Sequence, residues 1–346
     1  MKKQEINSTK IAQLAGVSRS TVSRVINNYP SVPPSTREKV MKVIREYNYF
    51  PNMSAQVLAG KKMRTIGLFM IEKGHVSSDA TSNMLLASVI ETASSKDYYV
   101  LTHIIRDSRD PESINGVKEI FYQGRIDAGI FIGADNHEPF IEELIGEGFI
   151  VGIVDQHLPG RHEANRIVYS FDNEKGVMQA VDYLVGLNHK NIGMINGDMK
   201  RFAGPAKYEG FVKAMSHHGL PLHEEWILPG DFNRRSGYAA IQGLVQSGVK
   251  LPTAIIAAND SVAFGAMKAL GEHGVAIPED MSIIGFDDHV LSSYSQPKLT
   301  TFKVDFGYMM SGLTLEIIKA IENHHDHHVN VTIPMELVVR DSCKKI

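Results

Sequence analysis

The apolar positions between Thr9 and Asn27 fall at helical spacing in two short groups, Ile11, Leu14 and Ala15, then Val22, Val25 and Ile26. Ser8 or Thr9 is placed to cap the first helix, and Gly16 to stop it in a left-handed conformation. Val17 fills the turn, and Ser18 caps a second helix running to Asn27. A third helix is signalled by Ser35-Thr36-Arg37-Glu38, which reads as a capping box, followed by Val40, Val43, Ile44 and Tyr47 along one face. Pro51 ends that pattern. Asn52 or Ser54 then opens a two-turn helix closed by Gly60, too short to be stable unless packed against something.

From Arg64 onward the rhythm changes. Continuous apolar runs (Ile66–Ile71, Tyr98–Ile105, Ala128–Ile132, Phe149–Val154, Ile192–Ile195, Ala254–Ala257, Ile283–Phe286) alternate with helical stretches. Such runs predict parallel strands buried on both faces by helices. Two sets in about 280 residues predict two α/β lobes with a cleft between them, and ligands of such sheets gather at the carboxyl ends of the strands. The polar residues at those ends are therefore the candidates: Asp155 after IVGIV, Asn259-Asp260 after AIIAA, Asp287-Asp288 after SIIGF. A buried carboxylate or amide there can take neighbouring hydroxyls of a sugar. The plainer expectation is that Asp and Asn at strand ends cap the next helix, and for Asp260 and Asp288 this is preferred.

Charge divides the 346-residue chain. Its net charge of −3 argues against a nucleic-acid binder, but residues 1–62 hold eleven Lys/Arg against three acidic residues. The remainder holds 25 of the 36 basic and 36 of the 39 acidic residues. A basic head on an acidic body predicts a head that meets phosphates. The second helix presents Arg19, Ser20, Thr21, Ser23, Arg24 and Asn27 opposite its apolar face, which is how a helix-turn-helix offers side chains to the major groove. Arg suits a bidentate contact to guanine; Ser, Thr and Asn suit phosphates or other base edges.

AGVSRSTVSRVIN, STREKV and YNYFPNMSAQVLAG together resemble the head of the lactose-repressor (LacI/GalR) family of bacterial transcription regulators. The resemblance continues through GDFNRRSGYAA, PTAIIAANDSVAFGAMKAL, MSIIGFDD and PKLTTFKVDF to essentially the whole chain. It implies an α/β protein with a three-helix DNA-binding head (1–50), a hinge helix and linker (51–62), and a two-lobed periplasmic-binding-protein-like core (63–346). It implies that Arg19, Ser20 and Arg24 read bases and that Thr9, Thr21, Ser23 and Asn27 position the backbone. Leu58 would wedge into the minor groove, with Ala55 and Gln56 beside it. It also implies an effector pocket at Asp155, Phe171, Phe232, Asn259, Asp287 and Phe306. The family commonly has Arg three residues before the Gly of its Gly-Phe/Trp pair. Here Lys207 precedes Gly210-Phe211, keeping the charge but losing the planar fork. Lys207 is thus a pocket residue binding a hydroxyl or phosphate, or a surface residue, and Arg201 nearby favours a phosphosugar.

The expectation is a repressor of a carbohydrate operon, controlled by a sugar or sugar phosphate and working as a homodimer on pseudo-palindromic operator DNA. Control by a protein corepressor, the phosphorylated phosphocarrier protein of catabolite-control members, is the alternative; a sugar-binding protein or enzyme is a third reading. No P-loop, GxGxxG, HExxH or GxSxG motif is present, so no catalytic residue or cofactor is expected. The single cysteine, Cys343, fits a reducing compartment, and the N-terminus has no apolar run suggesting a secretory signal, so a cytoplasmic protein is expected. No run approaches a membrane span. The tract His324-His325-Asp326-His327-His328 reads as a solvated loop rather than a metal site.

Overall fold

A computed structural model describes residues 6–49, 62–72, 80–323 and 328–346. The chain separates into two compact units, Met1–Met63 and Arg64–Ile346.

The first unit holds α1 (Ser8–Ala15), α2 (Arg19–Ile26) and α3 (Pro34–Glu46). Its core is small: Ile11, Ala12, Ala15, Val22, Val25, Val32 and Val40. Gly16 adopts φ 61°, and Ser18 caps α2 by accepting from the Thr21 N–H, both as expected. Three details differ. Asn7, not Ser8 or Thr9, caps α1, accepting from Lys10 N at 3.0 Å. Leu14 is exposed, and Ala12 takes the buried place instead. The capping box at Ser35 does not form, because Pro34 occupies the first helical position with Pro33 at the cap and no side-chain cap bond. Proline suits that position: its φ is already helical and it has no N–H to satisfy. Arg37 is freed for another task. It donates to Val25 O (3.3 Å), Asn28 Oδ1 (2.6 Å) and Tyr29 O (2.7 Å), holding the connection that follows α2.

The second unit contains two six-stranded sheets. The first has order β11-β5-β4-β3-β1-β2, made of β1 (Thr65–Ile71), β2 (Tyr99–Ile105), β3 (Ala128–Ile132), β4 (Ile150–Val154), β5 (Arg166–Phe171) and β11 (Val329–Ile333), all parallel. Among its helices are α4 (Ala80–Ser94), α5 (Pro111–Tyr122) and α6 (Pro139–Gly146). The second has order β12-β10-β9-β8-β6-β7, made of β6 (Ile192–Ile195), β7 (Ile227–Leu228), β8 (Ala254–Ala257), β9 (Ser282–Asp287), β10 (Thr300–Lys303) and β12 (Glu336–Val338). Here β12 runs antiparallel to β10, against the expectation of purely parallel sheets. Its helices are α7 (Asn173–Gly186), α8 (Ala203–His217), α9 (Arg234–Gln246) and α10 (Asp260–Glu272). A further helix, α11 (Phe306–Asn323), packs in the core of the first sheet.

Each sheet has an apolar cluster on both faces. The chain crosses between the lobes three times, from β5 to α7, from β10 to α11 and from β11 to β12. The last crossing splits VNVTIPMELVV, which the sequence suggests is one strand. Pro334 cannot donate to a ladder, and the chain changes sheet there. Among the described residues no helix is long and apolar enough to cross a membrane.

Candidate functional site

On the first unit, Thr9, Arg19, Ser20, Ser23 and Arg24 are exposed, while Thr21 and Asn27 are half-buried. The turn organises α2 from its start: Ser18 Oγ lies 2.7 Å from Ser20 Oγ and 2.8 Å from Thr21 Oγ1. Arg19 Nε donates to Ser8 Oγ at 3.1 Å, tying the second helix to the first. Arg24 makes no ion pair among the described residues and points its charge outward from the last turn of α2. Asn27 is the C-cap rather than part of the helix, and its Oδ1 is buried without a partner. Ala55, Gln56 and Leu58 lie outside the described residues, as do His324 to His327. Among those described, no cluster of three metal-binding side chains occurs.

In the second unit, the seven residues expected to form the effector pocket line one cavity of about 190 Å³ where the strand ends of the two sheets face each other: Asp155, Phe171, Lys207, Phe232, Asn259, Asp287 and Phe306. Asp155 follows β4 with φ 64°, and Asp287 ends β9 with φ 102°. These left-handed turns carry the chain away from the sheet and leave the carboxylates at its edge. Phe171 and Phe306 meet edge to face at 5.5 Å. Phe232, also left-handed at φ 69°, lies against Gly197, where a Cβ would sit 2.0 Å from the ring. Only glycine admits the aromatic wall there.

Two polar anchors are already engaged. Asp155 accepts from the Phe171 N–H (3.2 Å) and from Asn173 Nδ2 (3.1 and 3.2 Å). Asn259 does what a strand-end Asn most simply does: it caps α10, accepting from the Val262 N–H at 2.9 Å, and its Nδ2 donates to Phe232 O. Asp260 and Asp288 stand outside the cavity. Asp260 is buried and accepts from Ser292 Oγ, Thr301 Oγ1 and the His289 N–H, so it pins the loop after β9 instead of capping. Asp288 pairs with Arg340.

Lys207 is 4% exposed, with Nζ 3.5 Å from the centre of the Phe286 ring. Burial pushes its pKa down to about 8 against the attraction of Asp287, Asp155 and Asp260. Burial pushes Asp155 up to about 6, opposed by the Phe171 N–H, the Lys207 charge and Asn173. Asn173, Gly133, Ala203 and Met335 also line the cavity, and sequence reasoning did not select them. Asn173 carries the same signal as the others, a polar residue just past a strand.

Residues 9–52 match the bacterial regulatory proteins of the lacI family, and residues 181–343 match a periplasmic binding protein-like domain. The HTH-type transcriptional repressor PurR of Haemophilus influenzae (strain ATCC 51907 / DSM 11121 / KW20 / Rd) is 31% identical over 97% of this chain and 98% of its own. This chain belongs to the LacI family. It is a DNA-binding transcriptional regulator, and the family is a class of repressors, not of enzymes. A second relative, the probable HTH-type transcriptional repressor ExuR of Bacillus subtilis (strain 168), is 30% identical over the same shares of both chains. The lac repressor dimer bound to operator and the anti-inducer ONPF is 26% identical, with a TM-score of 0.82 over 99% of this chain and 100% of that one. Two relatives of nearly equal identity carry different names, so membership of the LacI family does not name the effector.

Proposed function

We propose that this LacI-family protein is a cytoplasmic, homodimeric repressor of a carbohydrate operon. Its affinity for a pseudo-palindromic operator is set by a sugar or sugar-phosphate effector in the cavity between the lobes. The observation that carries the reading is the convergence of Asp155, Asn259, Asp287 and Lys207 with three aromatic rings on one cavity at the strand ends. Carboxylates and an amide suit vicinal hydroxyls, and ring faces cover the C–H groups of a sugar. The cavity is bounded by both lobes, so a ligand there contacts two bodies at once and favours one arrangement of them. Linkage then requires operator and effector to alter each other's affinity by the same factor. On the DNA side, Arg19, Ser20 and Arg24 read bases, Thr9, Thr21, Ser23 and Asn27 position the backbone, and Ala55, Gln56 and Leu58 form the hinge contact.

The test combines two measurements on the full chain. Thermal melting is screened against sugars and sugar phosphates, since a ligand of the folded state raises apparent stability. Operator affinity is then measured with each ligand that raises it. A ligand that stabilises the protein and shifts operator affinity supports the reading. Operator affinity that no small molecule changes, but phosphorylated phosphocarrier protein does, would establish the corepressor reading instead.

A further inference from the structure

The hydrogen-bonding capacity left open in the cavity is unequal. Its acceptors are largely committed: both oxygens of Asp155 and the oxygen of Asn259 already receive N–H groups. Its cationic donors are not. Lys207 Nζ makes no hydrogen bond or ion pair among the described residues, although the side chain is 96% buried, and its contact is the face of Phe286. Arg201, at the same cavity wall, makes a single long bond among the described residues, from Nη2 to Ile71 O at 3.4 Å. Gly133, at φ 80°, lies against the same carbonyl: a Cβ there would sit 2.6 Å from Ile71 O, while the guanidinium nitrogen, 3.5 Å away, stands at ordinary contact distance.

Both cations flank the start of α8. Ala203, in its first turn, lines the cavity, and Lys207 follows four residues later on the same face. The cap residue, Phe202, gives no side-chain acceptor. The Gly204 N–H already donates to Arg201 O (3.1 Å), the Ala206 N–H to Phe202 O (3.2 Å), and Pro205 has no N–H, so the start of α8 contributes its dipole rather than a set of open donors. A helix N-terminus carries partial positive charge, and beside it stands a buried ammonium that makes no hydrogen bond among the described residues.

We propose that the effector carries an anionic group, a carboxylate or a phosphate, received by Lys207 and Arg201 beside the start of α8. This rests on the effector reading of the cavity and narrows it. An ammonium stripped of water gains most from a charged acceptor, whose hydrogen bonds are about twice as strong as neutral ones. A neutral polyol meets the same donors with hydroxyls that lose their own hydration for weaker bonds. Asp155 and Asp287 repel the anion, which orients the ligand: its charged end lies toward α8 and its hydroxyls toward the carboxylates.

The experiment is calorimetric titration of the full-length protein with glucose, glucuronate and glucose 6-phosphate and their galactose counterparts. At least one acidic sugar is expected to bind at least tenfold tighter than its parent. The carboxylate and phosphate arms identify which anion fits. Lys207→Met is expected to lower affinity for the acidic ligand at least tenfold, with a smaller effect on the neutral parent. Arg201→Gln, a variant at a half-exposed position, is expected to lower it severalfold and keeps the test independent of folding at the buried site. Tighter binding of the neutral sugars, or acidic binding insensitive to both substitutions, overturns the anionic assignment while leaving the cavity as the effector site. Absence of binding by all six overturns both.

Discussion

Lys207 places a charge where the folded chain gains little from it, and the consequence is measurable. Burial lowers its pKa from 10.5 to about 8, so holding the ammonium in the cavity costs on the order of 3 kcal/mol relative to the neutral amine. Its contact with the Phe286 ring at 3.5 Å favours the ammonium over the neutral amine, but burial outweighs it. Methionine keeps the length and apolar stem of the side chain and removes the charge. Asp155 loses a favourable neighbour in that variant, but its pKa already stands at about 6, so taking up a proton near neutrality limits the loss. Lys207→Met is therefore expected to stabilise the ligand-free protein by up to about 3 kcal/mol, raising the melting temperature by several degrees. The same change removes the group assigned to the effector's anion, a trade of function for stability.

The pH dependence gives a sharper check, because comparing wild type with variant cancels every other titrating group. Between pH 8 and 10.5 the unfolded chain holds a proton on Lys207 that the folded chain has released. Wild-type stability must therefore rise with pH through that window relative to Lys207→Met. The variant's advantage should be full below pH 8 and gone by about pH 10.5. The assay is a denaturant midpoint series from pH 7 to 10.5. A variant of native circular dichroism that melts below wild type at pH 7, or a stability gap that does not close with pH, would refute the claim that this cation is desolvated and unpaired.

Three further predictions concern other parts of the chain. Gly197→Ala puts a methyl group 2.0 Å from the Phe232 ring, so the ring must leave its seat. The overpacking costs about 1–3 kcal/mol, and effector-induced change in operator affinity is expected to be lost; normal induction would show that Phe232 does not wall the cavity in solution. Arg37→Lys keeps the charge but cannot make the three bonds of the guanidinium, so head stability should fall by about 1 kcal/mol. Faster hydrogen exchange in α2 and α3 checks this, and unchanged protection would count against the clamp. Arg24→Ala should weaken specific operator binding by roughly 1–3 kcal/mol, with a smaller loss on nonspecific DNA; equal losses on both would reassign Arg24 to the phosphate backbone.

The strand-end residues were legible because the change of hydrophobic period marks where each strand stops. Parallel topology brings those stops to one edge, so Asp155, Asn259 and Asp287 converge once the strands pair. What periodicity does not carry is partnership. Arg37 looked like part of a capping motif, since nothing in its spacing reveals acceptors eight to twelve residues upstream. Asp260 looked like a cap, yet its three donors come from the loop after β9 and from β10. VNVTIPMELVV looked like one strand, yet Pro334 sends its halves to different sheets. Lys207 is the consequential case. Its helix exposes several polar side chains, and only the packing of α8 decides that this one turns inward beside Phe286.

That difference moves the argument about the ligand. A set of residue types, two carboxylates, an amide and three phenyl rings, suggests a polyol, and it would do so wherever those groups occur together. The bonds they already make change the inference. Among the described residues, Asp155 and Asn259 have most of their capacity occupied within the protein, while Lys207 and Arg201 have most of theirs open. Buried polar groups without partners are costly, and a folded chain that retains them gains by binding what completes them. Here the incomplete groups are cationic donors at the start of α8, so the ligand that completes the site supplies negative charge as well as hydroxyls.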